Sequence, residues 1–152
     1  MDTVLNLKPL KAEDIERQPM FLGETLGIQR YDVVKYPIFR TLTEQQREFR
    51  WLPDEINMKE DRNSYESLGE VERFVFDSNL RFQTMGDSMF ARSASEINKY
   101  VTNTELEAAI SEWSNMEIIH SESYTYSLKA ITKEPDRFFD SIVHGLLCLS
   151  TS

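Results

Sequence analysis

The stretch TELEAAISEWSNMEIIHSESYTYSLKAIT, residues 104–132, decides the fold. Its spacing predicts one long helix. Thr104 suits the cap of the first turn, and Glu107, three positions on, can close a capping box with it. Neither Pro nor Gly interrupts the run, and Pro135 lies just beyond its end. At 100° per residue, one narrow face carries Leu106, Ile110, Trp113, Glu117, His120, Tyr124, Leu128 and Ile131. Six of these eight are apolar or aromatic. The other two, Glu117 and His120, sit mid-stripe at positions i and i+3. Glu107, Ser111, Glu122, Lys129 and Lys133 fall on the opposite side.

A carboxylate and an imidazole inside an apolar stripe cost free energy unless something binds them. Glu-x-x-His on a core-facing helix is how carboxylate proteins present ligands to a pair of iron or manganese ions. The carboxylate can bridge two hard ions, and the imidazole suits iron or manganese. The plainer reading is a Glu and a His that hydrogen-bond inside a core or sit at a solvated edge.

The chain has 152 residues, which fits one domain, and 40% of them are apolar, enough for a core. A net charge of −9 argues against nucleic acid, whose phosphates would be repelled, and equally against an anionic membrane surface. No apolar run approaches the length that spans a bilayer. Met1–Leu10 lacks the charged start and apolar run of a signal peptide. The lone Cys148 excludes an internal disulfide and points to a reducing cytoplasm.

Residues 1–35, punctuated by Pro9, Pro19 and Gly23, read as an arm lying on the domain. A first helix is expected from Pro37, a favourable first-turn residue, to Trp51, with Pro53 ending it. Asp54–Glu66 reads as a surface connection. Ser67 and Glu70 form a second capping-box pattern, and a helix follows from Leu68 to about Phe90 or Arg92. Asp87 shares one of its faces with Phe76, Leu80, Gln83 and Ala91. Phe74, Phe82 and Met89 lie on other faces, so burial on several sides is expected. Gly86 is interior and costs about 1 kcal/mol relative to Ala, which suggests close approach of a backbone or ligand beside Asp87. Ser93–Asn103 reads as a kinked connection.

Four stretches carry a resemblance: PMFLGETLGIQRYDVVKYPIF (19–39), FRWLPDEI (49–56), LRFQTMGDS (80–88) and MEIIHSESYTY (116–126). In order and spacing the chain resembles the small, radical-generating (beta) subunit of class I ribonucleotide reductase, in its bacterial and T-even phage branch. The resemblance covers residues 19 to about 143. It implies an all-α, ferritin-like helical bundle, a homodimer, and a large-subunit partner that reduces ribonucleoside diphosphates for deoxyribonucleotide synthesis. It also implies a di-iron centre, with manganese as the alternative metal, that oxidises one tyrosine to a stable radical. On that resemblance Asp87 is a terminal carboxylate ligand, Glu117 the bridging carboxylate and His120 an imidazole ligand. Tyr124 is the radical tyrosine, and Trp51 the electron relay between surface and metal. Without the resemblance, Tyr124 and Trp51 read as ordinary packing residues.

The family's chain is far longer. Its later helices supply a further glutamate and a second Glu-x-x-His pair, and its tail docks on the large subunit. The sequence is therefore expected to be a bundle truncated after the first two metal-ligand helices. It divides into an arm at 1–35, an incomplete ferritin-like domain at 36–143 and a tail at 144–152 unlike the family. That tail, HGLLCLSTS, reads as translation past a break in the coding region. Two functional expectations follow. The chain is a reductase component, inactive alone, that works in the cytoplasm (the host's, if phage-encoded) once its other half is supplied. Alternatively it is a non-catalytic fragment that only associates with other subunits, through Ile118, Ile119 and Tyr126.

Overall fold

The computed structural model describes residues 6–149, with side chains described through residue 142. Among the described residues six α-helices follow in order: α1 (Ala12–Arg17), α2 (Pro37–Glu48), α3 (Asp61–Glu66), α4 (Glu70–Ile97), α5 (Thr104–Ile131) and α6 (Pro135–Leu149). Only isolated β-bridges, and no strand, occur among the described residues. The chain divides into two compact units: residues 1–50 with 91–116, and residues 51–90 with 117–152.

In the first unit, Ala94, Val101, Leu106 and Ile110 form a buried cluster, with Met20 and Phe39 packed against it. The N-terminal arm is tied down through its backbone. Leu22 N–H donates to the Tyr100 carbonyl at 2.9 Å, and Thr102 N–H to the Met20 carbonyl at 2.8 Å. The arm also contains a helix, α1, whose Ile15 is buried. Gly27 lies where the backbone passes Lys8 so closely that a Cβ would stand 2.0 Å from the Lys8 carbonyl oxygen. α2 starts at Pro37, as expected, but ends at Glu48 rather than Trp51. Glu105, 4% exposed, accepts from the backbone N–H groups of Lys35 and Tyr36 at 2.5 and 3.2 Å. A buried carboxylate thus satisfies donors at the start of α2, where an anion is favoured. α5 begins at Thr104, but its cap is Asn103. The Asn103 Oδ1 accepts from Leu106 N–H at 2.9 Å, so Thr104 is not the capping residue.

The second unit holds the residues singled out for chemistry. Its core is Leu80, Leu128 and Ile131, with Tyr65, Tyr124, Phe138 and Phe139 packed against it. The connection expected at Asp54–Glu66 contains a 3-10 turn at Pro53–Glu55 and the helix α3. Six residues are too few to hold a helix alone. Here side chains anchor it: Arg62 Nε donates to the Ala130 carbonyl at 3.1 Å, and Tyr65 donates to Asp77 Oδ1 at 2.9 Å.

α4 departs from expectation at both ends. Ser67 Oγ turns back to the Ser64 carbonyl at 2.7 Å, and the capping carboxylate is Glu72, which accepts from Gly69 N–H at 2.9 Å. At the other end the helix runs on to Ile97, since no Pro or Gly stops it at Arg92. Phe74, Phe82 and Met89 are not buried: they are 69%, 69% and 58% exposed. Ile119, expected on an outer contact face, is buried, whereas Ile118 and Tyr126 are exposed. α6 opens on Pro135, and its backbone stays helical through residues 144–149, part of the segment read as a tail; residues 150–152 lie outside the described residues.

Candidate metal centre

Asp87 comes from the interior of α4, and Glu117 and His120 come from successive turns of α5. One ligand atom of each lies within 4.8 Å of the other two. Among the described residues no other group of three His, Cys, Asp or Glu side chains is gathered in this way. His120 Nδ1 stands 3.3 Å from Glu117 Oε2 and 3.4 Å from Asp87 Oδ2. All three side chains are partly buried, with Glu117 the most enclosed at 12% exposure.

Tyr124, one turn past His120, donates its phenol hydrogen to Asp87 Oδ2 at 2.8 Å. Burial, the bond to Asp87 and the negative charges of Asp87 and Glu117 all push its phenol well above the ordinary tyrosine range. The phenol is therefore held protonated, with a carboxylate already positioned to receive its proton. Trp51, just past the end of α2 in sequence, places its indole 6.3 Å from the His120 ring, at an interplanar angle of 30°. All five residues singled out from the sequence are thus gathered within the second unit.

Gly86 does not mark a close approach. A Cβ there would meet only the Phe90 ring, at 3.6 and 4.0 Å, which is ordinary contact.

Two carboxylates and an imidazole converging on one point suit a hard or borderline cation such as ferrous iron or manganese. The same atoms in a plain core would set two carboxylates side by side, which costs free energy that a cation between them offsets. The donor set therefore fits a metal.

A further polar pair was not legible in the sequence. Tyr65 in α3 donates to Asp77 in α4. Tyr65 falls in the stretch expected to be a surface connection, and Asp77 lies off the Phe76–Leu80–Asp87 face. No spacing signal connects the two, because the pairing depends on α3 folding against α4.

The sequence matches the family described as "Ribonucleotide reductase, small chain" over residues 30–145. It is 40% identical over 128 residues to the "Ribonucleoside-diphosphate reductase 1 subunit beta" of Escherichia coli O157:H7, covering 84% of this chain and 34% of that protein. It is 33% identical over 144 residues to the "Ribonucleoside-diphosphate reductase subunit beta" of Enterobacteria phage T4, covering 94% of this chain and 36% of that protein. Among solved structures it is similar to the "Ribonucleotide reductase R2 subunit from Clostridium botulinum", with a TM-score of 0.76 and 26% identity, over 82% of this chain and 40% of that one. The chain has the all-α, ferritin-like fold of such relatives, and it spans about a third of the length of those it matches in sequence.

Proposed function

Because the chain belongs to the ribonucleotide reductase small-chain family, we propose that it supplies one half of the di-iron, tyrosyl-radical centre of a ribonucleoside-diphosphate reductase beta subunit. The observation that carries this reading is the convergence of Asp87, Glu117 and His120 on one point, with Tyr124 bonded to one of them. In this reading Asp87 would serve as the terminal carboxylate ligand, Glu117 as the carboxylate shared between the metals and His120 as the imidazole ligand. Iron, or manganese as the alternative, would supply the one-electron oxidising power when bound.

The chain's own residues do the rest. Asp87 orients the phenol of Tyr124 and stands ready to take its proton as an electron leaves. The two carboxylates put negative charge beside the phenol, which favours loss of that electron. Packing against Leu80, Leu128 and Ile131 shields one side of the ring from water. Trp51 offers an aromatic step beside His120 for electrons coming from the surface. In this reading the oxidising equivalent serves a large subunit that reduces ribonucleoside diphosphates, and the small chain works as a cytoplasmic homodimer. Three protein ligands do not complete a two-metal site, so this reading needs further ligands besides the three gathered among the described residues.

The test is reconstitution. The chain is mixed with a second polypeptide covering the remaining two thirds of a relative, then given ferrous iron and oxygen. A tyrosyl signal in electron paramagnetic resonance is expected, and Tyr124→Phe should abolish it. No signal from a mixture shown to bind iron would count against this assignment.

One observation favours a second reading, in which the chain only associates with other subunits. Phe74, Phe82, Met89 and Ile118 are all exposed in the second unit. In that case sedimentation would show assembly with full-length subunits, while the mixture above would yield no radical.

A further inference from the structure

The second unit contains two phenol–carboxylate pairs built alike. Tyr124 donates to Asp87 at 2.8 Å, and Tyr65 donates to Asp77 at 2.9 Å. Both carboxylates stand on α4, both rings pack against the cluster of Leu80, Leu128 and Ile131, and both phenols are pushed above the ordinary tyrosine range, chiefly by burial. We propose that Tyr65 and Asp77 form a second oxidisable site, which takes the oxidation when Tyr124 cannot hold it. The proposal rests on the reading of Tyr124 as an oxidisable phenol.

The chemistry needs a proton acceptor at the phenol oxygen, because an electron leaves a buried phenol readily only if the proton leaves with it. Asp77 Oδ1 is that acceptor. Arg81 approaches the other oxygen, Oδ2, at 3.8 Å, so the accepting atom is not shared. A one-electron oxidant removes an electron from Tyr65 and is itself reduced by one. The phenol O–H bond breaks, and the proton forms a new O–H bond on Asp77, leaving a neutral phenoxyl beside a neutral carboxyl group.

Charge decides which pair is oxidised first. Tyr124 faces two carboxylates, Asp87 and Glu117, which favour electron loss. Tyr65 lies under the Arg73 guanidinium, 5.0 Å from its ring centroid, which opposes it. Tyr124 therefore holds the oxidation while it is present, and Tyr65 is the fallback. Tyr65 also lines an open cavity of about 440 Å³ with Met58, Phe76 and Ile131, where a small reductant can reach it.

The test uses the 152-residue chain without metal, oxidised by a photogenerated ruthenium(III) polypyridyl complex and frozen for electron paramagnetic resonance. A fluorotyrosine placed at position 65 marks any radical formed there by fluorine splitting. In the Tyr124→Phe chain that splitting is expected to appear; with Tyr124 intact it should be weak or lost. Asp77→Asn in the Tyr124→Phe chain should remove it, with helix content checked by circular dichroism. Absence of fluorine splitting from position 65 in the Tyr124→Phe chain overturns the proposal, as does splitting that survives Asp77→Asn. A fluorotyrosine at position 124, tested in the same way, reports separately on Tyr124. Splitting there without splitting at 65 sinks this proposal and leaves the reading of Tyr124 standing.

Discussion

Arg62 reaches from α3 to the last turn of α5, where its Nε donates to the Ala130 carbonyl at 3.1 Å and its Nη2 to the Lys129 carbonyl at 3.4 Å. The last carbonyls of a helix have no partners within it, and a cation there also answers the negative end of the dipole. One side chain thus closes α5 and fastens α3. Arg62→Ala should cost about 1.5–3 kcal/mol, the range for hydrogen bonds that involve a charged group. Hydrogen exchange at residues 128–131 should rise more than exchange at the centre of α5. Unchanged exchange in that last turn would show that the bond contributes nothing.

Leu128 is 1% exposed and stands at the centre of the second unit's core. Leu128→Ala should destabilise that unit by about 2–5 kcal/mol, through lost transfer free energy and the cavity left behind. Urea unfolding followed by tyrosine fluorescence reads the effect. A loss below about 1 kcal/mol would mean that the core collapses around the smaller side chain.

α5 was legible because Leu106, Ile110, Leu128 and Ile131 repeat at helical spacing and no Pro or Gly breaks the run. The placement of Glu117 and His120 on one stripe followed from the same period. The cap of α5 lies one residue before the expected Thr104, since Asn103 and Thr104 are both good capping types and only the bond from Leu106 N–H separates them. Pro135 is ambiguous in the sequence: it ends α5 and equally favours the first turn of a new helix, which is the role it takes in α6. α3 depends on Arg62 and Tyr65 finding partners in distant elements, which no local pattern encodes. Phe74, Phe82 and Met89 were expected inside because an apolar side chain in a sequence says nothing about whether a neighbour is present to cover it.

Tyr65 gives a pH dependence of known sign. Burial, followed by the bond to Asp77, raises its phenol above the unfolded value of 10.0. Above that value the unfolded chain releases the proton and the folded chain keeps it. The unfolded state then binds fewer protons, so stability falls as pH rises. The stabilising contribution is fully present below pH 10 and is lost through the alkaline range above it. Tyr65→Phe should flatten this part of the stability profile, measured by urea unfolding between pH 9 and 11. An equally steep fall in the variant would place the titration elsewhere.

Asp87, Glu117 and His120 should bind a divalent ion weakly even in this chain alone. Cobalt(II) or manganese(II) titrated in calorimetry should bind at this group, and His120→Ala should weaken binding by more than about tenfold, since loss of even an outer partner of a ligand costs that much. Binding that is indifferent to His120→Ala would place the ion on surface carboxylates instead.

Given ferrous iron and oxygen, the 152-residue chain alone should give no tyrosyl signal in electron paramagnetic resonance. Asp87, Glu117 and His120 can hold one ion, but three side chains cannot fix two ions at bridging distance. Oxidising Tyr124 means removing an electron from a phenol whose proton is held tightly, by burial first and by the bond to Asp87 second. A single loosely held ion does not supply that driving force. Any radical formed would also sit on a ring that is only partly buried, where reductants have access. A photogenerated oxidant bypasses the first obstacle but not the second, so radicals produced that way should be short-lived. A stable signal from iron and oxygen alone, lost in Tyr124→Phe, would show that three ligands suffice and that the proposed need for further ligands is wrong.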